Sequence, residues 1–178
     1  MRTFLCILGL AAVTTVLIGA GVEDAFKRER SGKGDEAKNA LEGNPPPALE
    51  GSWLNVRGGK LEWDALKGKV VVLDFWAHWC GPCRAAIPHV KEMLSKYGKD
   101  GLTFIGVHSD PNEAKMKEAV KELGMNWPTL FDGNKAVMKA YGADSYPDYY
   151  IIDRKGVLRF ADIANADVEA AVQMLLKE

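Results

Sequence analysis

The segment Val70-Val71-Val72-Leu73-Asp74-Phe75-Trp76 constrains this chain more than any other. It is a near-continuous apolar run rather than an apolar–polar alternation, which suits a strand covered on both faces. Such a strand calls for layered α/β architecture around one sheet. Directly beyond it comes Trp79-Cys80-Gly81-Pro82-Cys83, and then a helical pattern from Pro82 to about Tyr97 with Ile87, Val90, Met93 and Leu94 as its apolar stripe. Pro88 falls inside this helix and is expected to kink it, because proline removes a hydrogen bond and clashes with the preceding turn.

The remaining pattern extends the same architecture. Leu102 to Val107 reads as the next strand. Asp110 is placed to cap a helix that starts with Pro111 and Glu113 and stops at Gly124. Trp127 to Phe131 reads as a further strand, and about Lys135 to Tyr141 as a short helix. Tyr149–Ile152 and Val157–Phe160 bracket Asp153-Arg154-Lys155-Gly156 as a hairpin, and Asn165 is placed to cap a last helix through Lys177. At the front, Trp53–Val56 and Lys60–Trp63 flank Arg57-Gly58-Gly59, which predicts another hairpin.

Residues 3–22 carry no charge and follow Arg2. Gly19-Ala20-Gly21 suits a signal-peptide cut, yet the run is also near the roughly 20 residues a spanning helix needs. Residues 1–22 are therefore expected to direct export, either as a cleaved signal peptide or as an uncleaved anchor. Cys6 lies too early for a lipoprotein cleavage site and reads as a small apolar residue of that helix. Residues 23–47 mix charges, carry glycines and end in Pro45-Pro46-Pro47, so a flexible linker is expected there. The globular domain then occupies 48–178. With 23 basic and 24 acidic residues, the near-neutral chain has no electrostatic footprint for nucleic acid.

The two cysteines of the motif carry its chemistry. Cys80 falls at the start of the predicted helix, where unpaired N–H groups and the helix dipole stabilise a thiolate. Cys83, three residues on, sits one turn away on the same face and within reach to close a disulfide. Gly81 and Pro82 allow the tight turn, with Pro82 pre-set for the first helical turn. A closed zinc site needs about four ligands; His78 and His89 are the nearest additions, and no metal is expected. A disulfide spanning two residues would be a poor structural staple, which leaves dithiol–disulfide redox chemistry as the reading.

Leu73 to Cys83 resembles the active-site segment of thioredoxin. The wider pattern resembles the extracytoplasmic TlpA/ResA-like branch of the thioredoxin superfamily, with Gly68-Lys69-Val70-Val71 after an N-terminal hairpin and a helix–strand insertion over Asp110 to Phe131. The resemblance covers about residue 48 to the C-terminus. It implies a thioredoxin-like α/β fold, a central mixed sheet flanked by helices, and a thiol–disulfide oxidoreductase. It also implies that Cys80 attacks the substrate disulfide and Cys83 resolves the mixed disulfide. Tyr146-Pro147 matches the family's cis-proline loop, and Trp79, Gly81, Pro82, Tyr146, Pro147 and Asp148 then make up the substrate face. Trp76 matches a second family tryptophan, and Pro88 the helix-kinking proline. Glu92 and His89, on the same helix, read as solvated or packing positions.

Asp74 stands alone as the polar residue of its strand. It is either a hydrogen-bonded core acid or, as in thioredoxin, the proton acceptor for Cys83. Thioredoxin's lysine near that aspartate aligns with Gly106, so the charge partner is missing. Asp148 stands where relatives often have threonine; it reads as a solvent-facing loop acid or as a negative charge beside Cys80 that raises the thiol pKa and favours basic targets. The expected function is disulfide exchange with protein substrates outside the cytoplasm, in the reducing direction, by a monomer fed by an upstream dithiol donor. No organic cofactor is expected, since the dithiol carries the electrons. A peroxiredoxin-like peroxidase and a docking module with an inert disulfide are the alternatives.

Overall fold

The computed structural model describes residues 25–30, 32 and 34–178, so the expected export segment, Cys6 included, lies outside the described residues. Among the described residues, no helix is long and apolar enough to cross a membrane. Six strands form one mixed sheet in the order β1-β4-β3-β2-β5-β6. They are β1 (Ser52–Leu54), β2 (Val70–Trp76), β3 (Leu102–His108), β4 (Thr129–Phe131), β5 (Asp148–Ile152) and β6 (Leu158–Ile163). Strand β2 pairs in parallel with β3 and antiparallel with β5. All seven of its residues are buried, as its composition demands.

Alternation along the strands splits the core into two layers. Val70, Val72, Trp76, Tyr149 and Ile151 face one side, against α2 (Gly81–Tyr97), α3 (Glu113–Glu122) and α5 (Val168–Leu176). Val71, Leu73, Phe75, Tyr150 and Ile152 face the other, against α4 (Ala136–Ala140), Leu49 and Leu66. The helix–strand insertion is present as α3 and β4, and the C-terminal hairpin as β5 and β6.

Four sequence expectations are corrected. The N-terminal hairpin does not form: β1 pairs antiparallel with β4 instead. Asn55 ends the strand with φ 60°, its side-chain amide donating to the Met125 and Trp127 carbonyls, and Trp63 opens a short 3-10 turn. Helix α3 is capped by Asn112, whose Oδ1 accepts from the Lys115 amide, while Asp110 accepts the Asn112 amide one step earlier. The C-terminal helix begins at Val168 after a 3-10 turn over Asn165–Asp167, and Asn165 makes no capping bond.

The largest correction concerns the expected linker. Arg28 bridges to Ile163 at the open edge of β6, and the Glu29 amide donates to the Asp162 carbonyl at 2.8 Å. Phe26 packs edge-on against Phe160, and Glu42 accepts the Ala161 amide while pairing with Arg28 and Arg30. Helix α1 (Asp35–Leu41) follows, entered by Gly34. A Cβ at Gly34 would stand 2.5 Å from the Gly142 carbonyl oxygen, so only glycine permits this approach. Even the proline run is held: Trp63 Nε1 and the Tyr141 hydroxyl both donate to the Pro47 carbonyl at 2.8 Å. The segment looked solvated because its charges alternate without an apolar face; Arg28 and Arg30 pair with Glu42 inside it, while the partners of Lys38 lie more than a hundred residues away.

Candidate active site

Cys80 is the N-cap residue of α2, with extended backbone, and its Sγ accepts the Cys83 amide at 3.1 Å. Cys80 and Cys83 are joined as a disulfide in this structure. The first turn of α2 holds no acidic residue, so nothing there opposes the helix N-terminus in stabilising a thiolate at Cys80 once the bond is reduced. Both cysteines are largely shielded, at 4% and 1% exposure, whereas the adjacent Trp79 is 60% exposed. Such an exposed indole beside a reactive sulfur is a ready contact for an incoming polypeptide.

The Tyr146–Pro147 peptide bond is cis. Trp79 meets the Tyr146 ring edge-on, with centroids 5.7 Å apart, and Tyr146 is tethered by its hydroxyl to the Ser109 carbonyl. Pro147 and Pro82 share a groove of about 460 Å³ with Val90, Met93 and Tyr149. The structure thus brings Trp79, Gly81, Pro82, Tyr146 and Pro147 together around the disulfide.

Asp74 lies on the α2 side of β2 and is fully buried. Its Oδ1 has no hydrogen-bond partner among the described residues. Burial alone pushes its carboxyl up to about 7. Its neighbour across the ladder is Gly106. A Cβ at Gly106 would stand 3.0 Å from Trp76 Nε1, so the indole fills the space a lysine there would need.

Asp148 is not on this face, which corrects the expectation that it charges the Cys80 groove. Strand alternation sends it to the opposite side with Tyr150 and Ile152. It is buried beside Lys38 of α1, whose wholly buried ammonium reaches Asp162 at 2.6 Å, Asp144 at 2.8 Å and Asp148 at 3.8 Å. Burial, reinforced by the Asp162 carboxylate and only partly offset by Lys38, pushes the Asp148 carboxyl up to about 8. Lys38 itself is held charged: burial opposes the charge, but Asp144 and Asp162 outweigh it.

Sequence reasoning missed two residues near the motif. His108 ends β3 opposite Trp76 and is buried, its Nε2 lying 3.2 Å from His78 Nδ1. Burial, which outweighs Asp110 and is reinforced by His78, pulls its imidazole down to about 4. Asp110, read only as a cap, accepts Trp79 Nε1 at 3.0 Å besides the Asn112 amide. The available signal was that β2 and β3 are parallel neighbours, which puts the residues just past their ends side by side. His89 and Glu92 are on α2; His89 approaches Glu169 at 3.7 Å.

A disulfide at a helix N-terminus, facing a cis-proline loop on a mixed sheet of this order, defines a thioredoxin-like redox fold. More particularly, the chain belongs to the Redoxin family, which it matches over residues 41–175. It is 32% identical over 169 residues to Protein DipZ of Mycobacterium tuberculosis, covering 89% of this chain and 24% of that protein. It is 32% identical over 102 residues to thiol-disulfide oxidoreductase ResA of Bacillus anthracis, covering 57% and 59%. The chain thus spans about a quarter of DipZ and under two thirds of this ResA. The thioredoxin domain of a thiol-disulfide oxidoreductase from Bacteroides vulgatus superposes with a TM-score of 0.67 at 26% identity, over 76% of this chain and 97% of that one. The resemblance to the ResA-like branch of the thioredoxin superfamily is borne out.

Proposed function

We propose that this protein is a thiol–disulfide oxidoreductase that reduces disulfides of protein substrates outside the cytoplasm. The observation that carries the reading is the Cys80–Cys83 disulfide at the N-terminus of α2, with Cys80 Sγ on a helix amide and the Pro147 loop beside it. In the reduced enzyme the Cys80 thiolate attacks a substrate disulfide, forming a mixed disulfide and expelling one substrate thiolate. Asp74 takes the Cys83 proton, a task suited to a carboxyl poised near 7. The Cys83 thiolate then attacks Cys80 Sγ, releases the second substrate thiolate and closes the Cys80–Cys83 disulfide. Two electrons have passed to the substrate, and an upstream dithiol donor must restore them. The exposed Trp79 and the groove beside Pro147 receive the polypeptide around its disulfide. Export through residues 1–22 and a monomeric state belong to the same reading, as does the absence of an organic cofactor.

The test is reduction of a protein disulfide by the pre-reduced chain, together with the potential of the cysteine pair. Cys80→Ser should abolish turnover, and Cys83→Ser should accumulate a mixed disulfide with the substrate. A potential near about −270 mV supports reduction, whereas one near about −120 mV would reverse the direction. Unimpaired turnover in Cys80→Ser would overturn the mechanism. A pair that never equilibrates with thiol buffers would leave a docking module.

A further inference from the structure

We propose that His78, His108 and Asp110 form a site for a divalent first-row metal ion, Zn²⁺ by its geometry, beside the redox disulfide. The site arises because β2 and β3 run in parallel and end together, with Trp76 opposite His108. His78 lies two residues past the end of β2, and Asp110 two past the end of β3. One ligand atom from each residue lies within 4.8 Å of the other two. His78 Nδ1 is 3.2 Å from His108 Nε2 and 3.9 Å from Asp110 Oδ1.

Zinc–nitrogen bonds of about 2.0–2.1 Å in a tetrahedron hold adjacent donors roughly 3.3 Å apart. The two nitrogens already meet that spacing, and the carboxylate, 3.9 Å from His78 Nδ1, has to close in to complete the set. Two imidazoles and one carboxylate, with a fourth position left for water, is a donor set that suits zinc.

His108 Nε2 accepts the His78 amide N–H at 3.3 Å and lies 3.2 Å from His78 Nδ1, so its one lone pair faces the His78 loop and an ion bound there would take the place of that hydrogen bond. The Asp110 carboxylate is oriented from behind by Trp79 Nε1 and the Asn112 amide, both at 3.0 Å, as outer partners orient a metal ligand. The His108 ring is gripped edge-on by Trp76 and stacked between His78 and Phe131. Its Nδ1 is buried with no hydrogen-bond partner among the described residues, so packing and the Nε2 contacts hold the ring. Arg84 donates to the His78 carbonyl but directs its other nitrogen to Glu122 at 2.6 Å. An ion here would join the loop carrying Trp79 and Cys80 to the loop after β3.

The test is titration of the full chain with Zn²⁺ by calorimetry and with Co²⁺ by visible absorption. A Cys6→Ser background with the Cys80–Cys83 disulfide intact leaves no thiolate to bind either ion. The expected result is one Zn²⁺ per chain and the intense visible bands of tetrahedral Co²⁺. Affinity should fall at least tenfold in both His78→Ala and Asp110→Asn and stay unchanged in His89→Ala. His108→Ala risks the fold, so the two loop variants decide. No saturable binding, or a loss confined to one of the two loop variants, would overturn the site. So would binding that survives both variants, or that appears only on reduction and vanishes in Cys80→Ser.

Discussion

Asp74 and Asp148 lie on adjacent strands, one register position apart, and both are buried at 1% exposure. They nevertheless live in opposite electrostatic worlds. Asp74 faces α2 with no ion pair among the described residues, and its carboxyl is raised by burial alone. Asp148 faces the other layer, where α1 delivers Lys38 into a cluster with Asp144 and Asp162. Burial raises both carboxyls, but Asp74 has no counter-charge among the described residues while Asp148 is tied through Lys38 to α1. The single-residue offset decides between them, because it changes which face of the sheet each side chain meets.

The sharpest way to break this comparison is to remove that tie. Lys38→Met should destabilise the protein by about 3–5 kcal/mol at pH 8, because it strands buried carboxylates without their cation. Urea unfolding should show a smaller loss at pH 5, where the Asp148 carboxyl, raised by burial, holds its proton. A loss under about 1 kcal/mol at both pH values would mean that the α1 contact is worth no more than a surface pair.

Asp74→Asn probes the other side. The native carboxyl titrates near 7 and the unfolded one near 4. The native state therefore holds the extra proton between those values, and stability is lost as pH rises from about 4 through 7. The full penalty is roughly 4 kcal/mol. The asparagine variant should be about 2–4 kcal/mol more stable than the parent at pH 8 and equal to it near pH 4. Single-turnover reduction should slow at the resolving step. Equal pH profiles for variant and parent would remove Asp74 from the proton ledger.

The smallest effect expected is a null one. Asp148→Asn should leave the Cys80 thiol pKa, followed by alkylation rate against pH, unchanged, since the carboxyl lies on the far face beside Lys38. A clear downward shift would place its charge back in the redox site.

Much of the site was legible before the fold was known. Cys80, Gly81, Pro82 and Cys83 form a local unit, and a buried strand running into a helix leaves few places for them to go. Asp74 was legible for the same reason, as one polar residue in an apolar run. Lys38 was not, because a lysine among mixed charges looks solvated until the acids from positions 144, 148 and 162 are brought to it. His108 was likewise hidden, being one polar residue at the end of an apolar strand, thirty positions from His78.

What the sequence by itself determined were features set by short-range chemistry: the β2 run, the helix start at the motif, the strand–helix alternation and the reactive pair. Only the tertiary structure decided which way Asp148 faces, that the charged N-terminal segment is docked, and that β1 pairs with β4 rather than with its own neighbour. Those outcomes depend on partners distant along the chain, and hydrophobic periodicity carries no record of them. Charge pairing and strand register are settled only when the folded sheet brings such residues into contact.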